Sequence, residues 1–145
     1  MARERMSVVP EKKVGLPEAI KEQMLEQARA ELPFEACGIV SGSPEKGAVK
    51  FYPARNEVQS ATRYSIDPED LLRILEDIER KGLEVWGIFH SHPVNPAYPS
   101  ERDLDFSFYP DAYYFIVSLQ EPEQPDLRAF RIQDRLVEEF EVVVK

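Results

Sequence analysis

The run Val85-Trp86-Gly87-Ile88-Phe89 leads without a break into His90-Ser91-His92-Pro93, and this junction restricts the fold more than any other stretch of the chain. An apolar run of that length reads as a buried strand, and a buried strand needs strands beside it and helices over it. The two histidines are the only ones in the sequence, and they stand two positions apart at the end of that strand. Residues i and i+2 of a strand project to the same face, so both imidazoles can converge on one point.

Elements of both kinds follow along the chain. Residues 17–32 carry Ile20, Met24, Ala28 and Leu32 at spacings of four, with Pro17 suited to a first helical turn and Pro33 as the stop, which predicts a helix with one buried stripe. Residues 37–41 and 48–53 read as two strands of a hairpin joined across the turn-rich 42–47, and Tyr64 to Ile66 as a short third strand. Asp67-Pro68 supplies an N-cap and a proline for the first turn of a second helix, with Leu71, Leu72, Ile74, Leu75 and Ile78 on one face and Gly82 ending it. Residues 94–99 are loop, and Ser100 opens a short helical stretch to about Phe108. Residues 113–119 form a strand, and 127–131 with 136–144 form a terminal hairpin turning near Gln133-Asp134-Arg135. The fold class is α/β with a largely antiparallel or mixed sheet.

With 145 residues and 43% of them hydrophobic, the chain makes one domain with an ordinary core and has no room for a second. That domain is expected over residues 14–145, with fraying confined to residues 1–13. A net charge of −9 argues against nucleic acid, whose binding rests on Lys and Arg neutralising phosphates. No apolar run approaches the ~20 residues of a bilayer span, and the charged start lacks the apolar stretch of a signal peptide, so a cytoplasmic protein is expected. The lone Cys37 rules out an internal disulfide and suits a reducing compartment. It reads as a small core side chain, with a catalytic thiol as the alternative. Twelve prolines and 31% charged residues would suit a heat-stable protein.

The histidine pair needs a third partner to hold a metal. Asp103 is the natural one: it follows Ser100 by three, where a first helical turn can fold a carboxylate back over the strand end. Two histidines and a carboxylate are a catalytic zinc set, leaving a position for water. That water needs a base that is not itself a ligand, and Glu35 is the candidate, because it immediately precedes a buried strand that can run beside the histidine strand. Other readings stand beside these. Ser100-x-x-Asp103 is also a plain helix cap, His-Ser-His-Pro can be a turn with ordinary histidines, and Glu35 alone can be a solvated loop residue. The conjunction favours the metal site.

Glu35 with Ala36-Cys37-Gly38, followed far along by His90-x-His92-Pro93, seven residues to Ser100 and two more before Asp103, resembles the JAMM signature of the MPN/JAB metallopeptidases. Asn56, Tyr64-Ser65-Ile66-Asp67-Pro68, Ala97-Tyr98-Pro99-Ser100 and Tyr109-Pro110-Asp111-Ala112 also look like the small bacterial and archaeal members, so the likeness covers nearly everything after residue 14. The resemblance implies a deaminase-like α/β sandwich, a curved mixed sheet flanked by helices. It implies one catalytic zinc on His90, His92 and Asp103, Glu35 as general base and then general acid, and Ser100 as hydrogen-bond donor to the oxyanion. A nucleotide deaminase of that fold would use H-x-E with P-C-x-x-C, and neither is present.

The implied substrate is a ubiquitin-like or sulfur-carrier protein cut after its C-terminal Gly-Gly tail, with cysteine released. The alternatives are an isopeptidase removing a ubiquitin-like modifier from lysine, and a non-catalytic scaffold that keeps a structural zinc. A structural zinc usually takes four protein ligands, whereas three are apparent. A homodimer is compatible with the sequence, which leaves the oligomeric state open. The loop 94–99 and the segment 55–63 are the places expected to control access. Tyr98 and Phe106 are candidates to line a substrate path, with plain packing as the alternative for each.

Overall fold

The computed structural model describes residues 9–145. The expectation of fraying over residues 1–13 lies, for residues 1–8, outside the described residues; Lys13 already belongs to a strand. The elements are β1 (Lys13–Leu16), α1 (Glu18–Ala30), β2 (Cys37–Ser43), β3 (Gly47–Ala54), α2 (Pro68–Arg80), β4 (Glu84–His92), α3 (Glu101–Asp105), β5 (Tyr113–Ser118), β6 (Asp126–Gln133) and β7 (Leu136–Val144). The strands form one seven-stranded sheet in the order β1-β7-β6-β5-β4-β2-β3. It is mixed: β1 runs parallel to β7 and β4 parallel to β5, while the remaining neighbours are antiparallel. Among the described residues no helix is long and apolar enough to cross a membrane.

Helices cover both faces, as the α/β expectation required. On one face, Ile20, Met24 and Ala28 of α1 pack over Val40, Phe51, Phe89, Phe115, Val117 and Phe140. On the other, Ile74 and Ile78 of α2 pack on Ile39 and Tyr52, and a neighbouring cluster joins Ile88, Ile116 and Ile132 to Ala97 of the following loop. Phe89, Phe115 and Phe130 are fully buried, each worth roughly 2–3 kcal/mol of transfer free energy. Ile88 and Phe89 thus face opposite layers. His90, two beyond Ile88, therefore belongs to the α2 side of the sheet.

Several elements differ from the sequence reading. α1 stops at Ala30, so Leu32 lies beyond it and is 44% exposed instead of extending the buried stripe. In α2, Asp67 accepts a hydrogen bond from Asp70 N at 3.1 Å and Gly82 takes φ +70° after the end, as expected of a cap and a stop. Leu72, however, is 61% exposed; at about 100° per residue it points away from Ile74. Tyr64 to Ile66 is no strand. Only Ile66 pairs, in a single antiparallel bridge with Asn56, because the Asn56 side chain takes the Ser65 N–H at 3.0 Å. α3 ends three residues short of Phe108, and just beyond it the Ser107 hydroxyl donates to the Leu104 carbonyl at 2.9 Å. The β6–β7 turn falls where expected, with Asp134 and Arg135 both at positive φ, the geometry of a two-residue hairpin turn.

Candidate metal centre and active site

β2 and β4 are antiparallel with Cys37 opposite His90. The next pair along is locked twice, by Ser91 N donating to the Ala36 carbonyl at 3.1 Å and Ala36 N donating to Ser91 Oγ at 2.8 Å. Glu35, just before the start of β2, is thereby brought near enough to His92 for the two side chains to act on each other electrostatically. The strand pairing is therefore what joins residues that lie far apart in the chain.

His90 Nε2, His92 Nε2 and Asp103 Oδ2 form a triangle with every side 3.1 Å. His92 Nδ1 lies 2.7 Å from the Pro96 carbonyl. A carbonyl only accepts, so that nitrogen carries the proton and the neutral ring turns a bare Nε2 toward Asp103. Lone pairs converging this closely repel unless positive charge stands among them. Tetrahedral zinc bonds of 2.0–2.1 Å would separate ligand atoms by about 3.3 Å, within a few tenths of what is seen. The three side chains are thus a group that can hold a metal ion. The two imidazoles are buried, and Tyr64 stacks on the His90 ring at 4.7 Å between centroids and 21° between planes.

Asp103 is a helix cap and also stands with the two histidines. Its N–H donates to Ser100 Oγ at 3.1 Å and its Oδ2 accepts from Ser100 N at 2.9 Å, a complete capping box, while the same Oδ2 stands in the triangle. Burial pushes the Asp103 carboxyl upward, but the adjacent His90 and His92 and the Ser100 N–H hold it well below the usual carboxylate range. Burial works against charge on His92, yet the bonds to Asp103 and Pro96 raise its pKa on balance.

Glu35 is 3% exposed and its Oε1 has no hydrogen-bond partner. Burial, aided by the negative Asp103 and opposed by His92 and Arg102, lifts its pKa to about 8. Its backbone is pinned on both sides, with N–H donating to the Ser60 carbonyl at 2.8 Å and the carbonyl accepting from Asn56 Nδ2 at 3.1 Å. A carboxyl with that affinity for a proton beside a cation site can take one up and return it near neutrality.

A cavity of about 340 Å³ opens beside His90 and Asp103, floored by Ile39, Ile88 and Ile116 and walled by residues 63–66 on one side and Arg102 and Phe106 on the other. Phe106 lines this cavity, whereas Tyr98 packs edge-on against Phe130 at 5.5 Å. The 94–99 loop is held down by buried Ala97 and Pro99 as well as by Pro96. Cys37 is fully buried, and burial pushes its thiol up to about 12, which suits a core side chain and not a nucleophile.

Ser91, Tyr64 and Pro96 escaped the sequence reading as parts of the site. Ser91 did leave a signal, since a hydroxyl projecting into an apolar strand's core side demands a partner. Tyr64 and Pro96 left none, because both act across loops whose path spacing does not reveal.

The family model described as prokaryotic homologs of the JAB domain matches residues 17–133. The CysO-cysteine peptidase of Mycobacterium tuberculosis is 36% identical over 123 residues, covering 83% of this chain and 84% of that one. A Thermus thermophilus protein named "Probable TtuB-protein conjugate cleaving protease" is 40% identical over 95 residues, 62% of this chain and 63% of that one. Among solved structures, a protein from Desulfitobacterium hafniense is 37% identical and superposes with a TM-score of 0.82 over 91% of this chain and 92% of its own.

Proposed function

The chain belongs to the family of prokaryotic homologs of the JAB domain, and from that premise we propose that it is a zinc-dependent peptidase cutting the amide bond after the C-terminal Gly-Gly tail of a ubiquitin-like or sulfur-carrier protein, with cysteine as the leaving group. The observation that carries this reading is the 3.1 Å triangle of His90, His92 and Asp103 beside a buried carboxyl. The Mycobacterium relative, a peptidase named for a cysteine-bearing carrier, supports the substrate class.

Zinc held by His90, His92 and Asp103 would supply Lewis acidity, polarising the scissile carbonyl and acidifying water. Glu35 takes the proton from the attacking water and gives it to the departing amine, so one group serves as base and then acid. Ser100 Oγ already accepts from Asp103 N, which leaves its O–H free to donate to the tetrahedral oxyanion; one such donor is typically worth about a hundredfold in rate or more. The His92–Pro96 and Ser100–Asp103 hydrogen bonds fix the ligand orientations before substrate arrives.

Intact-mass spectrometry of a sulfur-carrier protein ending in Gly-Gly-Cys tests the reading. Zinc-loaded enzyme is expected to remove one cysteine residue, and Glu35→Gln is expected to remove none while keeping its zinc. Equal cleavage by both proteins would sink the role of Glu35. The Thermus relative, named for conjugate cleavage, favours a second reading in which the leaving amine is a lysine side chain. Cleavage of a lysine-linked conjugate with the cysteine carrier left intact would select it.

A further inference from the structure

Asn56 is buried, and its side chain uses all of its hydrogen-bonding capacity on backbone groups. Nδ2 donates to the carbonyl of Glu35 at 3.1 Å and to that of Arg63 at 3.2 Å. Oδ1 accepts from Val58 N at 3.2 Å and Ser65 N at 3.0 Å. Two carbonyls on one side and two N–H groups on the other dictate which way the amide points. The loop that it closes returns to Glu35 a second time, through Glu35 N donating to Ser60 O at 2.8 Å. The same loop leads into Tyr64, stacked on His90, and into the 63–66 wall of the cavity beside the triangle. Apart from the local bond to Val58, each bond reaches seven or more positions along the chain.

We propose that Asn56 is a positioning residue that clamps the backbone of Glu35 to the 57–65 loop, so that the proton-carrying carboxyl and the wall of the substrate cavity are set by one side chain. The proposal rests on the catalytic reading of Glu35. The amide is irreplaceable here for a simple reason: a carboxylate of the same shape keeps both acceptor bonds and loses both donor bonds, facing two carbonyls with a negative charge. Asn56→Asp therefore cuts the tie to Glu35 and Arg63 while leaving the loop's own turn bonds to Val58 and Ser65. Glu57→Ala does the converse. It removes the acceptor of the Ser65 hydroxyl, 2.9 Å away, and loosens the loop at an exposed point without touching the Glu35 carbonyl.

The experiment pairs steady-state kinetics on the full chain, zinc-loaded and assayed with the cysteine-terminated carrier, with amide hydrogen exchange read on peptides covering 34–37 and 57–65. Asn56→Asp is expected to lower kcat about tenfold or more with KM little changed, at full zinc content, since small displacements of a catalytic group are costly. It is also expected to speed exchange in both segments together. Glu57→Ala is expected to speed exchange in 57–65 alone and to act more on KM than on kcat. Asn56→Ala serves as the second variant should the new carboxylate unfold the chain. Wild-type kcat in folded Asn56→Asp, or faster exchange confined to one segment, would overturn the clamp. If wild type cleaves no carrier at all, the functional reading fails, while the exchange data still decide whether Asn56 couples the two segments.

Discussion

Glu35 should make the metal-free protein less stable as pH rises, and Glu35→Gln should remove that dependence. A carboxyl at 4.5 in the unfolded chain and about 8 in the folded one is protonated in both states below pH 4.5, where its contribution to stability is fully present. Between the two values the unfolded chain has released the proton and the folded chain keeps it, so stability drops about 1.4 kcal/mol per pH unit. Above pH 8 the contribution is gone, having cost on the order of 5 kcal/mol across the window. Glutamine has the same shape and no titration, so the variant's stability, relative to wild type, should climb by roughly 4 kcal/mol from pH 5 to pH 8. Urea unfolding at each pH in chelator, with both proteins side by side, reads this directly, since titrating groups that do not interact with Glu35 cancel in the difference, which leaves Glu35 and its coupling to His92. Glu35→Gln should be the more stable protein at pH 8, the pattern of a site held for function at the expense of stability. Parallel curves for the two proteins would refute the claim that burial outweighs the nearby His92 and Arg102 charges at Glu35 in the metal-free fold.

Asp103→Ala removes a corner of the His90–His92–Asp103 triangle and half of the capping box; if the triangle holds the metal, metal per chain by elemental analysis should fall to near zero, with about 1 kcal/mol of stability lost through the cap. Ser91→Ala leaves the buried Ala36 N–H without its acceptor and should cost roughly 1–3 kcal/mol in urea unfolding. Cys37, with its thiol pushed up to about 12, should resist a thiol reagent in the native protein at pH 8 and react at once after unfolding; rapid native labelling would contradict its burial.

Much of this site was legible because its chemistry is written at short range. A strand ending in His90 and His92 follows from period two alone, and α2 announces itself through Asp67-Pro68 and Gly82. Ser100-x-x-Asp103 could be taken as a cap or as a ligand, and the structure has it serving as a cap while the same carboxylate oxygen stands 3.1 Å from His92 Nε2. Glu35 was harder, since its place beside the histidines depends on the β2–β4 register, a long-range pairing. β1 was not foreseen. Four residues carry no usable periodicity, and its partner β7 lies at the far end of the chain. Leu72 and Tyr64 to Ile66 were misassigned because hydrophobicity alone does not tell an outward helix position or a bridged loop from a packed one.

The position of β4 has a consequence for the order in which the molecule comes apart. β4 lies inside the sheet, antiparallel to β2 on one side and parallel to β5 on the other, while the margins belong to the four-residue β1 and to β3. Gradual heating should loosen the margins first, as edges with one neighbour yield before strands with two. The imidazoles ride on one of the last strands to part, so the triangle of His90, His92 and Asp103 should outlive the outer sheet and disperse only when the whole domain gives way.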